Sequence, residues 1–124
     1  MNLPQDTYFS IAFIESIQMQ EINKKYRKND SNTDVISFPH KREHNRARID
    51  KLTENYIGEI LIDINYIADH CNSHKIKHEI IKTAIHGFLH LIGYDHINHA
   101  QNIEMQKQEN EIMNEIRMEG FCDY

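Results

Sequence analysis

Chemistry is concentrated in one run, HGFLHLIGYDH at residues 86–96, which holds three of the chain's nine histidines. His86 and His90 are four apart, so on a helix their imidazoles stand one turn apart on the same face, close enough to ligate one ion. His96 follows beyond Gly93. A straight helix would carry it away by roughly 1.5 Å per residue, whereas a reversal at Gly93 folds it back toward the same ion. Three neutral imidazoles on zinc leave the fourth tetrahedral position to water, the open geometry of a hydrolytic rather than a structural site. Zinc lowers the pKa of such a water to about 7 and supplies hydroxide at neutral pH. The spacing therefore predicts one zinc per chain, held by His86, His90 and His96.

The offsets of His86, His90, Gly93 and His96 are those of H-E-x-x-H-x-x-G-x-x-H, a zinc-peptidase signature, except that Gly87 stands at the glutamate position. Losing that glutamate removes the general base of peptide hydrolysis, which disfavours a zinc metallopeptidase and leaves it as an alternative. A position without a side chain beside the metal is read as room for a bulky substrate, although glycine costs about 1 kcal/mol against alanine inside a helix. His70, His74 and His78 also recur every four residues. They lack a turn glycine, have Lys75 and Lys77 between them and straddle a helix boundary, so they are read as non-ligands. His40, His44 and His99 are read as solvated loop residues, and Cys71 and Cys122 as reduced core filler and tail.

The elements that must position these groups are visible in the hydrophobic pattern. Tyr8 to Ile14 alternates loosely as a strand, and Glu15 opens a helical spacing through Ile17, Ile22 and Tyr26. Lys28 to Thr33 is polar. Val35 to Phe38 reads as a short strand ended by Pro39, His40 to Asn55 as a long basic loop, and Ile57 to Ile64 as a further strand. A short helical stripe follows at Ile64, Ile67, Ala68 and Cys71. Ile76, Ile80, Ile81, Ala84, Ile85, Phe88, Leu89 and Ile92 then form an amphipathic helix, with Gly93 suited to a left-handed C-terminal cap. A last helix runs from about Ala100 to Met118. The expected class is α+β, a small mixed β-sheet packed with helices in a single domain over 1–124.

Composition sets the bounds. The 124 residues suit one domain, and 40% apolar with 27% charged residues is ordinary globular usage. Four glycines leave no G-x-G-x-x-G, phosphate loop or G-x-S-x-G elbow, which excludes the usual nucleotide and serine-hydrolase sites. No apolar run approaches the roughly 18–20 residues of a membrane helix, so the expectation is a cytoplasmic chain with no membrane partner. Net charge is −5, yet nine of the fourteen Lys and Arg fall between Lys24 and Lys51. Lys41, Arg42, Arg46, Arg48 and Lys51 would be solvated in any protein, and near an RNA site they would track a phosphate backbone.

HGFLHLIGYDH resembles the signature of the YbeY family of metal-dependent single-strand endoribonucleases, which act in ribosomal RNA maturation. NKKYRKNDSNTDVISFP at 23–39 is similar to that family's N-x-x-Y-R-x-x-D-x-x-T-D-V-L-S-F-P block, and IGEILID at 57–63 to its G-D-I-x-I strand, with Glu59 for the usual aspartate. The resemblance implies a zincin-like α+β fold, zinc on His86, His90 and His96, and Arg27 as a substrate-facing cation needed for cleavage. It further implies single-stranded RNA, ribosomal RNA and the small ribosomal subunit as partners, with ribosome-assembly proteins among them, in 3′-end maturation of small-subunit rRNA and in ribosome quality control. Members usually have another strand and helix before the one at Tyr8, which this sequence is expected to lack. By chemistry alone, Arg27 is either one cation of a solvated KKYRK face or a guanidinium fork for a phosphodiester. Asp30, Thr33 and Asp34 read as turn residues, and Asp95 either orients a ligand imidazole or caps the turn. A non-catalytic ribosome-assembly factor with a structural metal is the second alternative.

Overall fold

In the computed structural model, residues 3–40, 55–95 and 97–118 are described. The elements are β1 (Tyr8–Phe13), α1 (Ser16–Arg27), β2 (Val35–Pro39), β3 (Tyr56–Ile62), α2 (Ile64–Asp69), a 3₁₀ turn (Ser73–Lys75), α3 (Ile76–Leu91) and α4 (His99–Met118). Among the described residues the sheet has three strands in the order β1-β3-β2, with β1 parallel and β2 antiparallel to the central β3. The small mixed sheet and its helices match the class expected from the hydrophobic pattern.

Alternation along β3 divides the core. Leu61 faces α1 and packs with Met19 and Ile36, while Ile60 and Ile62 face the other way and pack with Ile67 and Leu91. A third cluster, Ile85, Leu89, Met105 and Met113, joins α3 to α4. The helix ends are capped by local chemistry. Glu15 and Gln18 form a reciprocal capping box on α1, the Asp63 carboxylate accepts from the Tyr66 N–H at 3.1 Å to start α2, and Asn98 Oδ1 accepts from the Gln101 N–H at 2.9 Å to start α4. Asp63 is fully buried and also accepts from Ser16 Oγ at 2.6 Å, which ties the start of α1 to the end of β3.

Helix α3 ends in the paired bonds of a Schellman cap. The Gly93 N–H donates to the His90 carbonyl at 3.2 Å and the Tyr94 N–H to the Leu89 carbonyl at 3.0 Å, with Gly93 at φ 104°. Tyr94 packs back on the cluster that contains Leu89. Gly93 thus caps the helix in the left-handed conformation its position predicted.

Gly87 corrects the sequence reading. It is buried against the sheet rather than left open for substrate: a β-carbon there would lie 2.8 Å from Ile60 Cγ2, 3.1 Å from Ser37 Oγ and 3.2 Å from Val35 Cγ2. Ser37 Oγ donates to the Gly87 carbonyl at 2.9 Å, so α3 lies directly on β2 and β3 at this point. His40 also departs from the solvated-loop reading, since its N–H donates to the Ile57 carbonyl at 3.0 Å and extends the β2-β3 ladder. Gly87→Ala is therefore expected to destabilise by about 1–3 kcal/mol, because overpacking against fixed β-branched neighbours outweighs the helix-propensity gain of about 1 kcal/mol. Thermal denaturation checks this, and a raised melting temperature would show that helix propensity dominates.

Candidate functional site

Two cavities of similar size differ in chemistry. One, of 470 Å³, is walled by apolar side chains of β1, α3 and α4 that include Phe9, Phe13 and Phe88, and it offers no group able to act on a bond. The other, of 460 Å³, is lined by Arg27, Thr33, Asp34, Val35, Ile36, Ser37, Pro39, His86, His90 and Asp95. It lies where the end of α1, the loop after it, β2 and the second half of α3 meet.

Each element delivers its groups for a local reason. Lys28 takes the left-handed conformation, φ 54° and ψ 33°, and ends α1 at Arg27. Tyr26 packs edge-on against Phe38 of β2 with ring centroids 5.4 Å apart, which lays this end of α1 beside β2. Asn23, 1% exposed, donates through Nδ2 to the Ser31 carbonyl at 2.9 Å, and its backbone carbonyl accepts from Asn29 N–H at 3.3 Å. These bonds hold the loop from which Thr33 and Asp34 enter the cleft. Thr33 Oγ1 donates to Asp34 Oδ1 at 3.3 Å, and both residues line the cavity. The turn reading did not anticipate this place in the cleft.

His86 and His90 converge. Their Nε2 atoms are 3.1 Å apart and their rings lie edge to face at 82° with centroids 4.7 Å apart. Two donors on a tetrahedral zinc at about 2.0–2.1 Å stand about 3.3–3.4 Å from each other, so the observed spacing suits a shared ion. The other nitrogen of His86, Nδ1, lies 2.7 Å from Glu109 Oε1 on α4. Sequence reading missed Glu109. The available signal was a carboxylate in step with Met105 and Met113, both buried on the face that α4 turns to α3.

His96 lies outside the described residues, as do Lys41, Arg42, His44, Arg46, Arg48, Lys51 and Cys122. Its neighbour Asp95 lines the cleft. His70, His74 and His78 fall on three different elements, at the end of α2, in the 3₁₀ turn and in α3, and no group of three metal-binding side chains occurs among the described residues. Cys71 is a free thiol packed beside the cluster of Ile60 and Leu91. No helix among the described residues is long and apolar enough to cross a membrane.

Residues 1–117 match the family model described as Endoribonuclease YbeY. The chain belongs to the YbeY family. It is 34% identical to Endoribonuclease YbeY of Staphylococcus saprophyticus over 116 residues, which cover 91% of this chain and 74% of that protein. Endoribonuclease YbeY of Staphylococcus aureus is also 34% identical, over 91% of this chain and 75% of the relative. The fold is similar to the solution structure of TM1509 from Thermotoga maritima, with a TM-score of 0.51 at 24% identity, covering 96% of this chain and 77% of that one.

Replacing Asn23 tests whether the loop depends on it. Asn23→Ala leaves the Ser31 carbonyl without its buried donor and is expected to lower stability by about 1–3 kcal/mol. The metal content should not change, because Asn23 does not line the histidine cleft. A loss within about 0.5 kcal/mol in a denaturant titration would show that the loop holds itself.

Proposed function

We propose that this chain is a zinc-dependent endoribonuclease that cleaves single-stranded RNA in the cytoplasm, with ribosomal RNA of the small subunit, at its 3′ end, as the natural substrate, in rRNA maturation and ribosome quality control. The observation that carries the reading is the pair of imidazole nitrogens 3.1 Å apart in the same cleft as Arg27. Membership of a family whose curated relatives are named endoribonucleases supports RNA as the substrate.

His86 and His90 would hold one Zn²⁺ per chain together with His96, and bound zinc supplies Lewis acidity toward water and a phosphoryl oxygen. The chain's own groups do the rest. Arg27 presents two parallel N–H donors to the phosphodiester and neutralises charge that grows on its oxygens in the transition state. Asp34 and Asp95 offer carboxylate oxygens in the cleft that accept from and orient a water molecule. Ser37, committed to the Gly87 carbonyl, keeps α3 and its histidines seated on β2.

The same seating weighs against the peptidase alternative, because a glutamate at position 87 would meet Ile60 and Val35. An assembly factor with a structural metal is weighed against by the open cleft and its guanidinium. Incubating zinc-loaded protein with labelled single-stranded RNA and with casein, each with and without chelator, separates the classes. RNA cleavage abolished by chelator is expected. Casein cleavage, or no cleavage of either substrate, would overturn the reading.

Two substitutions divide metal binding from chemistry. His90→Ala should release zinc, and undiminished zinc by elemental analysis would remove this pair as the site. Arg27→Ala should keep its zinc and its melting temperature yet lose roughly a hundredfold in cleavage, as expected for a transition-state contact of about 3 kcal/mol. Lysine should restore activity only in part, since an ammonium lacks the fork. Cleavage within a factor of two of wild type would reduce Arg27 to one cation of a solvated face.

A further inference from the structure

Glu109 stands in step with two apolar residues of α4, on the wall of a 410 Å³ cavity that Lys82 and Arg117 also line. Met105 and Met113, one turn to either side of it on α4, are 1% and 8% exposed and pack against Ile85 and Leu89 of α3. The Glu109 side chain is itself only 16% exposed. A leucine would continue this stripe, whereas a carboxylate taken out of water is costly unless a donor compensates it. His86 supplies the donor that faces it from α3, with Nδ1 at 2.7 Å from Oε1.

The 2.7 Å contact bears on which nitrogen of His86 carries hydrogen. A carboxylate only accepts, so Nδ1 must be the N–H, and a neutral imidazole then has its lone pair on Nε2. Nε2 is the atom that stands 3.1 Å from His90 Nε2. The bond also stops the ring from turning over, since a flip about its axis would withdraw the N–H from the acceptor. Resting on the reading of His86 and His90 as metal donors, we propose that Glu109 is a positioning residue: through His86, it holds the ring in the Nδ1–H form with the Nε2 lone pair turned toward His90, and thereby sets the affinity for a divalent cation. It acts from α4, a helix that contributes no residue to the lining of the cleft.

The competing account is a packing contact between α3 and α4, in which an apolar side chain of similar volume serves equally well. Glu109→Leu and Glu109→Gln distinguish the two. In metal-free, ¹⁵N-labelled protein at mildly alkaline pH, proton–nitrogen correlation spectra should show wild-type His86 as Nδ1–H, and the leucine variant shifted toward Nε2–H. In chelator competition with Zn²⁺ alone, the leucine variant should bind about 10–100-fold more weakly, with no loss of melting temperature. The glutamine variant, whose amide oxygen still accepts from an N–H, should keep the wild-type tautomer and most of the affinity.

An Nε2–H signal in wild type overturns the assignment, as does wild-type Zn²⁺ affinity in the leucine variant. If the leucine variant does not fold, the wild-type and glutamine spectra still decide, since both must report Nδ1–H. His90→Ala separates the two readings: equal Zn²⁺ binding by it and wild type would refute the donor pair, while the spectra would continue to judge Glu109.

Discussion

The site depends on one close approach, that of helix α3 to the sheet at Gly87. Ile60, Ser37 and Val35 occupy the space that any β-carbon there would take, and the Ser37 hydroxyl bonds the Gly87 carbonyl. His86 and His90 flank this point on the same helix, so seating the helix on β2 places their rings beside the strand that lines the cleft. A helix held farther from the sheet would leave the histidines without a facing wall. The glycine costs helix propensity and is retained because the approach requires it.

Around that contact the remaining groups are delivered by elements with separate anchors. Tyr26 on Phe38 and the left-handed Lys28 end α1 with Arg27 at the cleft, and Asn23 holds the loop that supplies Thr33 and Asp34. Helix α4, docked through two methionines, contributes the carboxylate on His86. An acidic chain with a net charge of −5 thus brings an arginine, two imidazoles and the carboxylates of Asp34 and Asp95 together in one cavity.

Most of the fold was legible because its elements carry a clear apolar pattern. The run from Ile57 gives β3, which ends at Ile62 and as the central strand is buried on both faces rather than one, and α3 repeats apolar residues at three- and four-residue intervals up to a glycine that caps it. The histidine pair was legible for the same reason, since i and i+4 share a helix face. The place of Arg27 at the cleft was readable only through the family resemblance, because a KKYRK run has the pattern of a solvated face. Two features were illegible locally. The reason for Gly87 lies on two strands distant in sequence, and Glu109 meets His86 across twenty-three residues on a different helix. Contacts of that kind leave no periodic trace beyond a small or charged residue where the pattern asks for something else.

The proposed function requires that imidazole nitrogens of this cleft hold zinc. Zinc-edge X-ray absorption of the protein loaded with one equivalent of Zn²⁺ tests it most directly. The account predicts a first shell of nitrogen and oxygen at about 2.0–2.1 Å with the outer-shell scattering of imidazole rings, lost on replacing both His86 and His90. A shell containing sulfur near about 2.3 Å, or an imidazole pattern unchanged in the double variant, would contradict it.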